Sequence, residues 1–196
     1  MGCYSMDPSS ANCYPGTTVL INRLDIRDED TLREAEAMAT YINAAKLEDV
    51  PMDGDFDFNH YKAIHRFLFS DLYDWAGEVR TVNISKKGTL FTPAESIESQ
   101  AELIFKRLKE RNYFKGLPHD AFVEEIVDFY CVTNALHPFR EGNGRAQRAF
   151  LTQLIRNAGY DINWSEMDGD LLMIATIQSA RGVTDLLGQI FYKSIR

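Results

Sequence analysis

Twelve consecutive residues, His137 to Arg148, read His-Pro-Phe-Arg-Glu-Gly-Asn-Gly-Arg-Ala-Gln-Arg. They bring a titratable base, a carboxylate, two glycines around an asparagine and spaced arginines into one short stretch, a combination suited to handling phosphate. His137 is the one group here whose unperturbed pKa lies near neutrality, which makes it the natural general base. Gly142 and Gly144 let the backbone approach a ligand without a Cβ in the way, and the successive amides of Gly142, Asn143 and Gly144 can form an anion-binding nest. The sequence turns helical from Gly144, so that nest sits on a helix N-terminus whose partial positive charge favours phosphate. Arg145 and Arg148 then share a helical face and can reach the same polyphosphate. Glu141 is placed to hold a magnesium ion, because that hard cation takes one or two carboxylates plus substrate phosphates. Phe139 reads as an apolar anchor for the loop, and Arg140 as a surface residue.

Rival phosphate and metal motifs fail on composition. A dinucleotide fingerprint needs a glycine where Gln147 stands, and no strand precedes Gly142. No Walker A lysine-serine pair is present, and a zinc protease helix through Glu141 is opposed by Pro138. The segment instead resembles the Fic family signature: His-Pro-Phe, two free positions, Gly-Asn-Gly-Arg, two free positions, Arg. Asp71 to Arg80, Tyr14-Pro-Gly16 and Ala158 to Trp164 also look like that family, so the resemblance covers most of residues 14 to 193. It implies a protein adenylyltransferase that moves AMP from ATP to a Ser, Thr or Tyr hydroxyl of another protein, with magnesium as cofactor. In that scheme His137 takes the hydroxyl proton, Gly142, Asn143 and Gly144 bind phosphates, Glu141 holds the metal, and Arg145 and Arg148 clamp the outer phosphates. The alternatives are transfer of another nucleotide or phosphate group, or a non-catalytic binding module.

The elements that must position this stretch follow from periodicity. The cap signature Thr31 to Glu34 opens a helix running to about Lys46. A stripe of Tyr61, Ile64, Leu68, Leu72 and Trp75 gives a helix over about 59–75, on which His60 and His65 read as structural or solvated. The period then changes to two: Val82 and Ile84, a turn at Lys86 to Gly88, then Leu90 and Phe91, a hairpin over about 79–92. In the family resembled, such a hairpin is a flap that holds the target by strand addition, so Val82, Ile84, Leu90 and Phe91 become target-binding candidates. Thr92-Pro-Ala-Glu95 reads as a second capping box, and Asp120 as the cap of an apolar helix ending at about Leu136, which delivers His137. After the motif, Gly159 closes a helix, and Ser165 and Thr184 are caps for two more. The expected fold is therefore all-α with one small β-hairpin flap: a lead-in over 1–18 and a Fic-type domain over 19–196.

A chain of 196 residues with 45% hydrophobic residues can bury one core. Its formal charge of −8 and pI near 5.0 argue against direct contact with nucleic acid. No signal peptide or apolar run long enough to span a membrane is visible, so cytoplasmic residence is the default, although an address read by a secretion system escapes such a reading. Three cysteines make no disulfide framework: Cys131 reads as a buried thiol, and Cys3 and Cys13 lie on the polar lead-in. Glu141 is the only glutamate followed by Gly or Asn, and four residues before it stands His137. The inhibitory pattern of many Fic proteins, Ser or Thr, three residues, Glu, then Gly or Asn, is thus absent. The resemblance then implies the class restrained by a separate small antitoxin that supplies an inhibitory helix, with this chain as toxin and DNA topoisomerases as the suggested targets.

Overall fold

The computed structural model describes residues 4–6, 12–86 and 89–196. Among these residues it contains seven α-helices and one antiparallel sheet. Helix α1 spans Glu29–Asp49, and its cap is Asp28 rather than Thr31. The Asp28 carboxylate accepts from the Thr31 amide at 2.8 Å and from its hydroxyl at 2.7 Å, so the threonine occupies the third helical position and serves as the capped donor. Helix α2 spans Phe58–Phe69, capped by the Asp57 carboxylate on the His60 amide. The apolar stripe continues through Leu72, but the helix stops before it. Arg23 reaches across instead, its amide donating to Leu72 O and its guanidinium to Ser70 O and Asp74, so carbonyls beyond the last turn are satisfied by tertiary partners.

The flap forms as β2 (Ile84–Lys86) and β3 (Thr89–Leu90), with Ser85 opposite Leu90 and Lys86 opposite Thr89. Its turn residues Lys87 and Gly88 lie outside the described residues. The sheet is one strand wider than the expected hairpin, because β1 (Tyr4–Met6) of the lead-in pairs with the outer edge of β2, Tyr4 opposite Lys86 and Met6 opposite Ile84. Three residues carry too little alternation to be read as a strand, and what holds them there is the open edge of β2. Past the flap, the Thr92 box does not close: Thr92 Oγ1 donates to Ala135 O, and Asn83 Oδ1 of the flap accepts the Ala94 amide at 2.8 Å. A 3-10 turn over Ala94–Ser96 leads into α3 (Ile97–Glu110).

Helix α4 spans His119–Leu136 behind Pro118, with Asp120 in its first turn as a favourable charge and no side-chain cap. Helix α5 spans Asn143–Asn157 and is followed by Gly159 at φ +93°, the left-handed closure expected there. Helices α6 (Gly169–Ser179), capped by Asp168 rather than Ser165, and α7 (Asp185–Ser194) complete the chain. Helix α2 packs on α1 and α5, while α4 packs on α3, α5 and α7. At their centre the Phe150 ring of α5 meets Tyr61 at 5.3 Å, Phe105 at 5.7 Å and Phe129 at 5.9 Å between centroids. Each buried aromatic contributes about 1.5–3 kcal/mol of burial, and edge-on pairing about 0.5–1.5 kcal/mol more. This cluster fixes the C-terminus of α4 beside the N-terminus of α5, and the loop between them carries the motif.

Candidate active site

His137 is the left-handed cap of α4, with φ +44° and its amide donating to Thr133 O. Its Nδ1 lies 3.1 Å from Asn134 O. A carbonyl only accepts, so Nδ1 carries the hydrogen and Nε2 is the basic nitrogen. The Phe91 ring of the flap stacks on the imidazole, 3.7 Å between centroids and 13° between planes. Burial, with Arg80 and Lys86 nearby adding to it, pushes the His137 pKa down to about 3. The ring is therefore neutral at physiological pH, as a general base must be.

From His137 the loop is stapled by Asn143, whose Oδ1 accepts the Phe139 amide at 2.8 Å and whose Nδ2 donates to Phe139 O at 2.7 Å. Phe139 is fully buried against His65, 3.8 Å between centroids, so it is the apolar anchor expected. Gly142 begins α5 at φ +78°, and a Cβ there would fall 2.1 Å from Phe69 Cζ, which makes glycine a requirement of both conformation and space. The Gly142 amide donates to Glu141 Oε1, whereas the amides of Asn143 and Gly144 have no acceptor among the described residues and sit at the first turn of α5. Asn143 thus plays two parts, its side chain closing the loop and its backbone facing the anion position. A cavity of about 360 Å³ gathers His137, Glu141, Gly142, Gly144, Arg145 and Arg148 with Lys86, Thr89 and Phe91 of the flap, and α6 supplies Leu172 and Met173 as an apolar wall.

The two arginines are not equivalent. Arg145 is committed inside the protein: Nη2 donates to Glu36 Oε2 at 2.8 Å, Nη1 to Thr40 Oγ1 at 3.3 Å, and the guanidinium lies over the Phe69 ring. The Arg148 guanidinium, by contrast, has no hydrogen bond or ion pair with the described residues, although its backbone carbonyl accepts from Thr152 Oγ1 at 2.9 Å. Arg140, expected at the surface, is buried, with Nη2 3.6 Å from Cys13 Sγ, because the loop turns it inward against the lead-in. Among the flap candidates, Phe91 meets His137, Val82 is half-buried, and Leu90 is 83% exposed. Ile84 is buried at 4%, so its side chain packs inward and is not offered to a partner.

Burial raises the pKa of the Glu141 carboxyl, and the neighbouring Glu36 raises it further. A bound cation would return it to the charged form. The described residues hold no group of three or more His, Cys, Asp or Glu able to enclose a metal. Magnesium does not need one, since it keeps several waters and completes its shell with substrate phosphates. One carboxylate facing a cavity lined by phosphate-type donors fits that requirement.

Three supporting residues were not singled out by spacing. Arg80 is buried and links flap to loop: Nε donates to His137 O at 2.8 Å, Nη1 to Val82 O at 2.7 Å, Nη2 to Thr92 O, and its amide to Pro138 O. His65 accepts the Gly77 amide on Nδ1, so Nε2 carries the hydrogen and donates to Glu141 O at 3.0 Å; burial holds its pKa down to about 4. Glu36 is 1% exposed. The similarity of Asp71 to Arg80 was the one sequence signal pointing to Arg80. Glu36 sits on a helix face that spacing alone reads as solvated.

The Fic/DOC family model matches residues 55–155. The chain is 41% identical over 171 residues to a probable protein adenylyltransferase, y4lH of Sinorhizobium fredii, covering 87% of this chain and 88% of that protein. It is 38% identical over 181 residues to the protein adenylyltransferase VbhT of Bartonella schoenbuchensis, of whose length it spans 38%. Among solved structures, BepC of Bartonella tribocorum with bound AMPPNP superposes with a TM-score of 0.89 at 28% identity, covering 94% of this chain and 96% of that one.

Proposed function

This chain belongs to the Fic/DOC family, and from that membership we propose how its geometry carries out protein adenylylation, the transfer of AMP from ATP to a Ser, Thr or Tyr hydroxyl of another protein. The observation that carries the reading is the Asn134 carbonyl beside His137 Nδ1, which leaves Nε2 as the basic nitrogen of a residue that shares one cavity with the α5 N-terminus, Glu141 and Arg148. The target oxygen attacks the α-phosphorus, its proton passes to Nε2 of His137, and the bond to pyrophosphate breaks. The amides of Asn143 and Gly144 and the α5 dipole hold the phosphates, and Arg148 closes on the outer ones. Glu141 would hold magnesium together with the nucleotide phosphates, and the ion would supply charge neutralisation at the leaving group. No covalent nucleophile is required, because positioning and charge stabilisation supply most of the acceleration in this chemistry. The relative solved with AMPPNP supports a nucleoside triphosphate as donor.

The flap holds the target segment over His137. Leu90 is its exposed apolar handle, and Phe91 must leave the imidazole face for the hydroxyl to approach. The chain acts as the toxin of a pair, and its antitoxin lays a helix beside Arg148. Support comes from a groove of about 400 Å³ between α1, α5 and the turn at Trp164, lined by Tyr41, Ala44, Leu47, Arg145, Arg148 and Trp164. Arg148 borders both this groove and the catalytic cavity, so a glutamate arriving there could draw it off the phosphates. No described helix is long and apolar enough to cross a membrane.

The test is incubation of the purified chain and a bacterial lysate with ATP labelled at the α-phosphate, followed by intact-mass measurement of the labelled protein. Addition of AMP that stops with a chelator is expected. Addition of a phosphate alone, or of nothing, would overturn the reading.

A further inference from the structure

The least solvent-exposed acidic side chain near the site is that of Glu36, and the scheme above does not use it. It stands in the middle of α1, where a carboxylate would ordinarily face water. Here it is enclosed, and it is satisfied from two sides. The Tyr73 hydroxyl donates to Oε1, and Arg145 Nη2 donates to Oε2 at 2.8 Å. Trp75 stacks on Tyr73, 4.4 Å between centroids, fixing the hydroxyl that fixes Glu36. On the other side Arg145 lies 3.5 Å from Glu141 Oε1 and over Phe69, the ring that Gly142 abuts. A connected row therefore runs from Trp75 and Tyr73 through Glu36 and Arg145 to the metal-binding carboxylate and the first glycine of the nest.

We propose that Glu36 is a positioning residue of the nucleotide site, holding the Arg145 guanidinium beside Glu141 and so leaving Arg148 as the arginine that closes on the phosphates. This rests on the adenylyltransferase reading and refines it, since spacing alone puts both arginines on the polyphosphate. A buried carboxylate is retained only where partners compensate its desolvation, and both of its partners belong to the site's own scaffold. Glu36 touches no substrate. It acts through Arg145, keeping that cation from folding onto ATP or pairing fully with Glu141, which would compete with the metal. Arg148 then meets the outer phosphates alone, and a partner that captures Arg148 removes that clamp.

The test compares wild type, E36Q, R145M and the E36Q/R145M double variant, reading the ATP KM and kcat in the transfer assay. ATP and adenosine binding are read by calorimetry in an H137A background. Loss of a charge-assisted hydrogen bond is worth about tenfold or more, so E36Q is expected to raise the ATP KM by about that factor. Adenosine binding should stay within twofold, the double variant should be no worse than R145M, and E36D should recover part of the loss. Equal weakening of ATP and adenosine, multiplicative losses in the double variant, or an unchanged KM would each overturn the proposal. Should E36Q fail to fold, Y73F and E36D carry the test: an ATP KM unchanged in both overturns it, and one raised about threefold in Y73F supports it. A wild type that binds ATP but transfers no AMP would count against the adenylyltransferase reading, and the binding arm would still judge Glu36.

Discussion

At the scale of single residues the proposed chemistry rests on one ring and one glycine. His137 is neutral because burial strips its charged form of hydration, and Asn134 O decides which nitrogen stays basic. His137→Ala is therefore expected to lower turnover by about two to four orders of magnitude while ATP binding, read by calorimetry, survives. Near-normal turnover would mean that another group takes the proton. The low His137 pKa also sets the acid limb of kcat/KM for the free enzyme: it should lie well below the usual histidine range, and a limb near pH 6.5 would contradict the buried neutral ring. Gly142→Ala asks for a strained φ and a clash with Phe69, so a loss of about 3 kcal/mol or more is expected in urea unfolding, together with loss of ATP binding. A variant as stable as wild type would show that the loop can shift.

At the scale of elements, Arg80 joins the flap to the loop that carries His137. Its guanidinium ties Val82 and Thr92 at the two feet of the flap to the carbonyl of His137, so the base of the hairpin is fixed to the loop. The alternation of Val82 and Ile84 marked this hairpin in the sequence, but alternation alone leaves open which face is inward. The structure buries Ile84 and exposes Leu90, so the outward side is the Leu90 side. Leu90→Glu is expected to cut modification of the protein target by about tenfold, since an apolar contact on a docking strand is replaced by a charge, while ATP binding stays unchanged. Parallel loss of both would point to a flap that no longer folds. The capping errors belong here too. Thr31 and Thr92 satisfied a sequence pattern, yet Asp28, one turn earlier, and Asn83, across the chain, reached the amides first.

At the scale of the whole molecule, burial of two histidines couples the site to stability. His65 and His137 have folded pKa values of about 4 and about 3, below the unfolded value near 6.5. The unfolded chain therefore binds more protons than the folded one below that value. The stability from both groups is full above pH 6.5 and is lost as pH falls from there to about 4 for His65 and about 3 for His137. Urea midpoints should drop over that window, with a shallower slope in His137→Asn; a flat wild-type profile would contradict two neutral buried rings. How far the sequence reached follows from the same burial. The motif from His137 to Arg148, the helical class and the hairpin were legible because they depend on local spacing, on glycines that free the backbone and on periods of two and 3.6. The family followed from fixed residue types in fixed order. What sequence could not decide was which charges find each other across the chain: Glu36 with Arg145, Arg80 with the flap's feet, His65 with Glu141 O, β1 with β2. The side-chain contacts of Glu36 with Arg145, of His65 with Glu141 O and of Arg80 with His137 O span 57 to 109 positions, and no periodicity encodes them. Packing brings the partners together, and the cost of leaving a buried polar group unpaired then selects the arrangement. The sequence alone therefore determined which groups could do the chemistry, and only the tertiary structure decided that the Arg145 guanidinium is held by Glu36 while that of Arg148 has no partner among the described residues.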